Sequence, residues 1–401
     1  MARCLPSLRP TGRGVAGRLA LVGSHDAARP RVTAIGNPEL FTVAPDEIAV
    51  TFVTVPHESV ATRVGDHEVT TTGPYHVARI TGLEPDTPYP LTVDGAVSSD
   101  LLPAEVRTLA CPSGRLLATI GTVNDVHFGE VECGRLGDGE QLGPILVSEP
   151  GAPPYPEVMN HAVIDELRAL APDAVVVKGD LTNLGTEEEY ERFRAAYDTL
   201  GPTMHHVRGN HDAMVTTTIA SDRAPFVVEL PGVQLAVLDT VIPGTDKGRV
   251  SASQLRWLDD LAAEADRPVL VFGHHHPWDP ASPTRSETYF GINPDDSDAL
   301  IALIERRPAI AGYFAGHTHR NRVRRFDRTR GVPMVEVACV KDYPGAWAEY
   351  RVHEGGYTQV VRRISAHEAM AWTEKTREMF AGLYRDYALG SLSDRCFTHT
   401  F

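Results

Sequence analysis

Residues 174–183 read Ala-Val-Val-Val-Lys-Gly-Asp-Leu-Thr-Asn, a short apolar run that ends in small and polar residues. A continuous apolar run of this length, followed by turn residues, is typical of a strand that is buried on both faces. Ligand sites of open α/β sheets form just beyond the carboxyl ends of such strands. The stretch therefore predicts a buried strand over 174–178, with Asp180 in a candidate site.

Four further strand candidates end in the same way. Asp, Asn and His follow them in the segments 124–127, 209–212, 273–276 and 316–319. A lone Asp or His at such a place is usually a cap or a turn residue, but turn chemistry does not explain five such ends in order. Carboxylates and imidazoles together suit Mn, Fe or Zn, whereas oxygen ligands alone suit Mg or Ca. The strand ends therefore predict a transition-metal site.

Helix candidates separate these strands. Apolar residues recur at helical spacing in the ranges 156–170, 186–200, 251–263, 295–306 and 366–387. Thr186 and Glu189 have the spacing of a capping box at the start of the second helix. Buried strands joined by helices predict an α/β layered domain. The stretch 390–397 has no clear pattern, and we assign it no element.

The N-terminal region has a different pattern. Strand candidates cover 47–53, 59–64, 75–80 and 89–93, and turn residues stand at Gly65-Asp66, Gly73-Pro74 and Pro85-Asp86. Closely spaced short strands without a helix predict a small β-sandwich. The segment 80–89 resembles the E–F corner of a fibronectin type III domain. We predict a disordered leader over 1–30, the sandwich over 31–110, the α/β domain over 115–365, and a C-terminal helix and tail over 366–401.

Composition limits the class of protein. The chain has 401 residues, 42% hydrophobic and 23% charged, which is typical of packed globular domains. Its formal charge of −15 argues against sequence-independent binding of nucleic acid. Five scattered cysteines favour a reducing compartment. No apolar run is long enough to span a membrane, and Arg18 interrupts the apolar part of the leader. We therefore expect a cytoplasmic protein without stable membrane insertion, with export as the alternative.

The order of the motifs resembles that of the calcineurin-like metallophosphoesterases. Asp-x-His, Gly-Asp, Gly-Asn-His-Asp, His-x-Pro and Gly-His-x-His follow one another within residues 116–327. The resemblance implies a four-layer α/β/β/α domain that holds two metal ions, Mn, Fe or Zn. Carried over residue by residue, it implies that one metal is held by Asp125, His127, Asp180 and His319. The other would be held by Asp180, Asn210, His275 and His317.

In this assignment Asp180 bridges the two metals, and His211 is the catalytic histidine that binds neither. Three neighbouring histidines compete for one ligand position, and we choose His275 because the family places its ligand two residues before the proline, here Pro277. Two cations about 3.5–4 Å apart clamp the attacking and leaving oxygens of an in-line displacement, and a metal-bound hydroxide forms near neutral pH.

The segments 179–185 and 209–212 resemble class III cyclic nucleotide phosphodiesterases and related glycerophosphodiesterases. Purple acid phosphatases, which also carry an N-terminal sandwich, have a tyrosine ligand where this chain has Asn183. We therefore expect hydrolysis of a small phosphodiester, with 3′,5′-cyclic AMP as the leading substrate. A broad-specificity phosphomonoesterase is the first alternative. A non-catalytic scaffold, in which the sandwich does the binding, is the second. The oligomeric state is left open, since an oligomer is compatible with the sequence.

Overall fold

The computed structural model describes residues 34–135, 141–286 and 289–401, so the predicted leader lies outside the described residues. The strands of the N-terminal region are β1 (Ala34–Val43), β2 (Glu47–Val64), β3 (His67–Thr81), β4 (Pro88–Val93) and β5 (Glu105–Arg107). The later strands are β6 (Leu116–Val123), β7 (Ala174–Lys178), β8 (Met204–Val207), β9 (Phe226–Leu230), β10 (Val233–Val237), β11 (Lys247–Gly248), β12 (Val269–Phe272), β13 (Gly291–Ile292), β14 (Ile310–Ala315), β15 (Arg322–Arg325), β16 (Pro333–Glu336), β17 (Ala346–His353), β18 (Gly356–Arg363) and β19 (Cys396–Thr400). The α-helices are α1 (Tyr155–Leu170), α2 (Glu187–Tyr197), α3 (Ala252–Glu264), α4 (Pro294–Arg306), α5 (His367–Thr376), α6 (Leu383–Leu389) and α7 (Leu392–Arg395).

The N-terminal region is built on the 18-residue strand β2. Its first half pairs with β1, its last residues pair with β4, and β3 pairs with it along most of its length. The two strands predicted over 47–53 and 59–64 are therefore one strand, with an irregular register between Val53 and Glu58. The turn predicted at Gly73-Pro74 is also wrong, because both residues lie inside β3. Long-range pairing prevails over local turn propensity at both places.

Two six-stranded sheets form the larger part of the molecule. One has the order β19-β18-β17-β6-β7-β8 and the other β15-β16-β14-β12-β10-β9. Side chains of β12 alternate between two hydrophobic clusters: Leu270 and Phe272 pack between the sheets, whereas Val269 and Val271 pack with helices α3 and α4. Helix α1 contributes Val163 and Leu167 to the cluster of the first sheet. The predicted α/β class with helix, sheet, sheet and helix layers is confirmed.

The predicted capping box of α2 is present, since the Thr186 side chain accepts a hydrogen bond from the backbone N–H of Glu189. The predicted C-terminal helix over 366–387 is broken into α5, which ends at Thr376, and α6. Ala381 and Gly382, between the two helices, have left-handed φ angles of 57° and 84°. The unassigned stretch that follows forms α7 and β19, and β19 extends the first sheet beyond β18. Among the described residues, no helix is both long and apolar enough to cross a bilayer.

Candidate metal centre

The strand ends singled out in the sequence meet where the two sheets face each other. Potential ligand atoms of Asp125, His127, Asp180 and His319 all lie within 4.8 Å of one another, and all four residues are buried. We call these four residues the first group. His274, His275 and His317 form a second buried group that satisfies the same distance limit.

Asp180 connects the two groups through its two carboxylate oxygens. Oδ2 lies 3.5 Å from Nε2 of His127 in the first group. Oδ1 lies 3.3 Å from Nε2 of His274 in the second group. A carboxylate that presents one oxygen to each group has the arrangement that a bridging ligand requires.

The backbone of the site is held in an unusual conformation. Left-handed φ angles between 47° and 67° occur at Asp125, His127, Asp180, His317 and His319. Such angles are uncommon for residues other than glycine, and their cost is accepted mainly where surrounding structure imposes them at functional sites. Part of that structure is Asp125 itself, whose Oδ1 accepts a hydrogen bond of 3.0 Å from the backbone N–H of His317. This bond ties the end of β6 to the end of β14.

Asp212 fixes the loops after β7 and β8, a role that the sequence analysis did not assign. Its carboxylate accepts the backbone N–H groups of Leu181, Thr182 and Gly209 at 3.0, 2.7 and 2.7 Å. Only glycine fits at position 209, because a Cβ atom there would lie 2.2 Å from Oδ1 of Asp180. The Gly-Asn-His-Asp motif therefore shapes the site as well as supplying side chains to it.

His274 faces Asp180 and Asn210 directly. Its Nδ1 lies 2.8 Å from the backbone oxygen of Lys178. This oxygen can only accept, so Nδ1 carries a proton. Nε2 then faces Oδ1 of Asn210 at 3.0 Å and Oδ1 of Asp180 at 3.3 Å. A nitrogen lone pair aimed at two oxygens is stable only when a cation or a proton lies between them.

The pKa of His274 also indicates that a proton or a metal cation belongs at Nε2. Burial alone would lower the pKa of this imidazole, but Asp180, Asp125 and the Lys178 carbonyl together outweigh burial and raise the pKa to about 9. For His127 and His317, burial is the main cause of a pKa well below the usual value, and neighbouring imidazoles add to it. Neutral imidazoles have the protonation state that metal ligation needs.

The other two histidines of the run differ from each other. Nδ1 of His275 lies 2.8 Å from Oγ1 of Thr240, and its buried Nε2 has no hydrogen-bond partner among the described residues. His276 is turned away from both groups, with Nδ1 4.0 Å from a carboxylate oxygen of Glu336. The structure thus places the predicted ligand His275 in the second group together with His274, which the sequence analysis had not chosen.

His211 lies beside the first group but belongs to neither group. Its ring centre is 4.6 Å from that of His127, and its Nδ1 is 2.6 Å from the backbone oxygen of Asn183. Nδ1 must donate to that oxygen, so Nε2 is left as the nitrogen that can act on a bound molecule. Its backbone N–H donates to Oδ1 of Asp180 at 2.9 Å.

The donor set fits two metal ions. Among the described residues, buried ring nitrogens without a hydrogen-bond partner include both nitrogens of His127, Nε2 of His275, Nε2 of His317 and Nδ1 of His319. A buried polar atom left unpaired costs about 1–3 kcal/mol, so a cluster of them indicates a missing partner. Imidazole, carboxylate and amide donors are a combination that Mn, Fe and Zn accept.

Comparisons with known proteins agree with this geometry. Residues 118–321 match the family model of the calcineurin-like phosphoesterases. The glycerophosphodiester phosphodiesterase GpdQ of Enterobacter lignolyticus (strain SCF1) is 30% identical over 174 residues, which are 40% of this chain and 61% of that protein. The 3′,5′-cyclic adenosine monophosphate phosphodiesterase CpdA of Pseudomonas aeruginosa is 31% identical over 182 residues, or 43% of this chain and 64% of that protein. The chain thus spans less than two thirds of the length of these relatives.

Weaker likenesses to solved structures include one to a dimetal phosphatase from Danio rerio, with a TM-score of 0.48 and 14% identity over 62% of this chain and 97% of that one. A purple acid phosphatase from yellow lupin has a TM-score of 0.41 and 14% identity over 83% of this chain and 72% of that one. The family model covers just over half of the sequence, including every strand end described above. The chain belongs to the calcineurin-like phosphoesterase family.

Proposed function

We propose that the protein hydrolyses small phosphodiesters at a dinuclear metal centre, with 3′,5′-cyclic AMP as the leading substrate. The observation that carries the proposal is the Asp180 carboxylate, which presents Oδ1 to one group of ligand atoms and Oδ2 to the other. The names of the relatives, a glycerophosphodiester and a cyclic nucleotide phosphodiesterase, support diesters as the substrate class.

The ligand assignment follows from the two groups. One metal would be held by Asp125, His127, Asp180 and His319. The other would be held by Asp180, Asn210, His274 and His317, with His275 next to it. When bound, such cations polarise the phosphoryl group and activate water near neutral pH. Mn, Fe and Zn all suit this donor set.

His211 is the side chain that we propose to act on the substrate directly. Asn183 holds the proton on Nδ1, so the ring can turn only Nε2 toward a phosphoryl oxygen or a leaving alkoxide. Transfer of a proton by a positioned histidine contributes about 10²–10⁴-fold to rates. The half-buried position of His211 at the edge of the first group suits this task.

The test is hydrolysis by the purified full chain loaded with Mn²⁺. Bis-p-nitrophenyl phosphate, p-nitrophenyl phosphate and cyclic AMP are compared side by side, with a chelator as control. We expect chelator-sensitive turnover that favours the diesters. We further expect Asp180→Ala to abolish activity and lower metal content, and His211→Ala to retain both metals while losing about 10²-fold or more in rate.

Each contrary result would support a different function or a different residue role. Preference for the monoester would support the phosphomonoesterase alternative. Retained turnover in Asp180→Ala would contradict the bridging role, and loss of metal in His211→Ala would make that residue a ligand. No turnover of any of the three substrates would favour the scaffold reading. A cytoplasmic location remains part of the proposal, and fractionation of cells that produce the chain tests it.

A further inference from the structure

A third cluster of potential ligand atoms lies behind the first group. His319, Cys339 and Asp342 have ligand atoms within 4.8 Å of one another, and all three residues are buried. Cys339 and Asp342 come from the segment between β16 and β17, outside the stretch that matches the family model. The metal centre described above uses only His319 of these three residues.

This cluster does not have the character of a third metal site. The Lys341 ammonium lies 3.0 Å from Oδ2 of Asp342, so the place of a cation beside that carboxylate is already taken. Burial is the main cause that raises the pKa of the Cys339 thiol to about 11, and Asp342 adds to it. The Cys339 thiol donates to Oδ1 of Asp342 at 2.7 Å, so the two groups already satisfy each other.

The carboxylate of Asp342 accepts hydrogen bonds from several buried groups. Oδ1 accepts from the Tyr384 hydroxyl at 2.5 Å and from the Cys339 thiol. Oδ2 accepts from Lys341 at 3.0 Å and, over a longer contact of 3.8 Å, from the Cys133 thiol. The same Oδ2 lies 3.7 Å from Nδ1 of His319, a buried nitrogen without a hydrogen-bond partner among the described residues. An unsatisfied ring nitrogen thus faces a carboxylate oxygen just beyond hydrogen-bond distance, and the thiol contact of that oxygen is long enough to be replaced by a ring N–H.

The opposite nitrogen of His319 points to the metal centre. Its Nε2 lies 3.5 Å from Oδ1 of Asp125. A neutral imidazole carries one proton, so a proton held on Nδ1 leaves Nε2 free to bind a metal. A movement of the ring by less than about 1 Å would bring Nδ1 within hydrogen-bond distance of Asp342, and contacts of this kind are often long before a site is loaded.

We propose that Asp342 is a positioning residue, which accepts the Nδ1 proton of His319 and thereby presents Nε2 to the metal of the first group. This inference rests on the proposed metal centre. Carboxylates that accept the second proton of a ligating histidine fix its tautomer and orientation. Tyr384, in helix α6, holds the carboxylate in turn, so the C-terminal tail supports the metal site from behind. Lys341 ties the same carboxylate to Glu130, through an ion pair of 2.8 Å.

The experiment measures Mn²⁺ binding to the full chain by calorimetric titration and by metal analysis. Asp342→Asn keeps the size of the side chain and removes its charge. We expect one of the two Mn²⁺ ions to bind about 10–100-fold more weakly and the other to bind as in the unmodified protein. Tyr384→Phe keeps the charge of Asp342 and removes one hydrogen bond to it. It should weaken the same ion by a smaller factor, and it serves if Asp342→Asn does not fold.

The matched control is Glu39→Gln. Glu39 is also a buried carboxylate that binds a tyrosine and a cation, Tyr343 and Arg377, at 2.8 and 2.7 Å. Its loss should leave both Mn²⁺ affinities unchanged. Unchanged affinity in Asp342→Asn, or an equal loss in Glu39→Gln, would overturn the positioning role while leaving the dinuclear centre in place. Failure of the unmodified protein to bind two ions would instead overturn the proposed function and this inference with it.

Discussion

The run of three histidines shows what a sequence decides about a single residue and what it does not. The segment 273–276 predicts a ligand, because a strand ends there and imidazoles follow. Which histidine turns inward depends on the path of the chain after β12, and the resemblance to the family, whose ligand lies two residues before the proline, favoured His275. In the structure the Lys178 carbonyl, on the other sheet, anchors Nδ1 of His274 and aims its Nε2 at Asp180. Such a contact between distant segments leaves no trace in local spacing.

Comparing the metal content of His274→Ala with that of His275→Ala tests which of the two histidines is the ligand of the second metal ion. We expect His274→Ala to lose most of the second metal ion, since its Nε2 faces both Asp180 and Asn210. His275→Ala should retain two ions with weaker binding of one. Metal analysis after dialysis is the measurement, and His205→Ala, outside both groups, is the control. Full metal content in His274→Ala together with loss in His275→Ala would restore the ligand chosen from the sequence.

At the scale of elements, local signals predicted most of the molecule. Strand β7 has the predicted bounds, because it is a short apolar run with polar residues after it. The predicted bounds are wrong where pairing with a distant strand or a left-handed residue determines where an element continues or ends. Strand β2 continues through the expected break because β3 pairs along most of its length. The tail helix stops at Thr376, and the left-handed backbone at Ala381 that separates it from α6 is not revealed by a helical pattern of apolar residues.

The capping box of α2 offers a test at this scale. Thr186→Ala removes the side-chain oxygen that accepts from the backbone N–H of Glu189. We expect the free energy of unfolding to fall by about 1 kcal/mol, the usual cost of losing such a cap. Chemical denaturation measures it, with Thr186→Ser as the matched control, since serine keeps the accepting oxygen. Equal losses in both variants would mean that packing of the threonine methyl group, and not the cap, explains the effect.

On the scale of the whole molecule, the N-terminal strands and the α/β part are joined by a hydrophobic cluster and by hydrogen bonds. Phe41 of β1 belongs to the same hydrophobic cluster as strands of the first large sheet. Arg395, near the C-terminus, donates to the backbone oxygens of Leu40 and Phe41 at 2.9 and 3.0 Å. The sequence predicted a small sandwich over 31–110 from closely spaced strands with their own alternation. In the structure these strands have their own core around Ile48, Val50 and Phe52. The contacts that join it to the rest come from β18 and the tail, hundreds of residues away, where composition carries no signal of them.

A buried ion-pair network makes the connection between the two parts testable. Arg362 of β18 binds Glu47 of β2 at 2.7 Å and Glu349 of β17 at 2.6 Å, and all three side chains are at most 9% exposed. Arg362→Met leaves two buried carboxylates with fewer partners, so we expect a loss of about 3 kcal/mol in the free energy of unfolding. The control is Arg107→Met, which removes an exposed pair with Asp86 and should cost less than about 1 kcal/mol. Denaturation followed by circular dichroism measures both. Similar small losses would mean that apolar packing such as that of Phe41, rather than the network, holds the N-terminal strands in place.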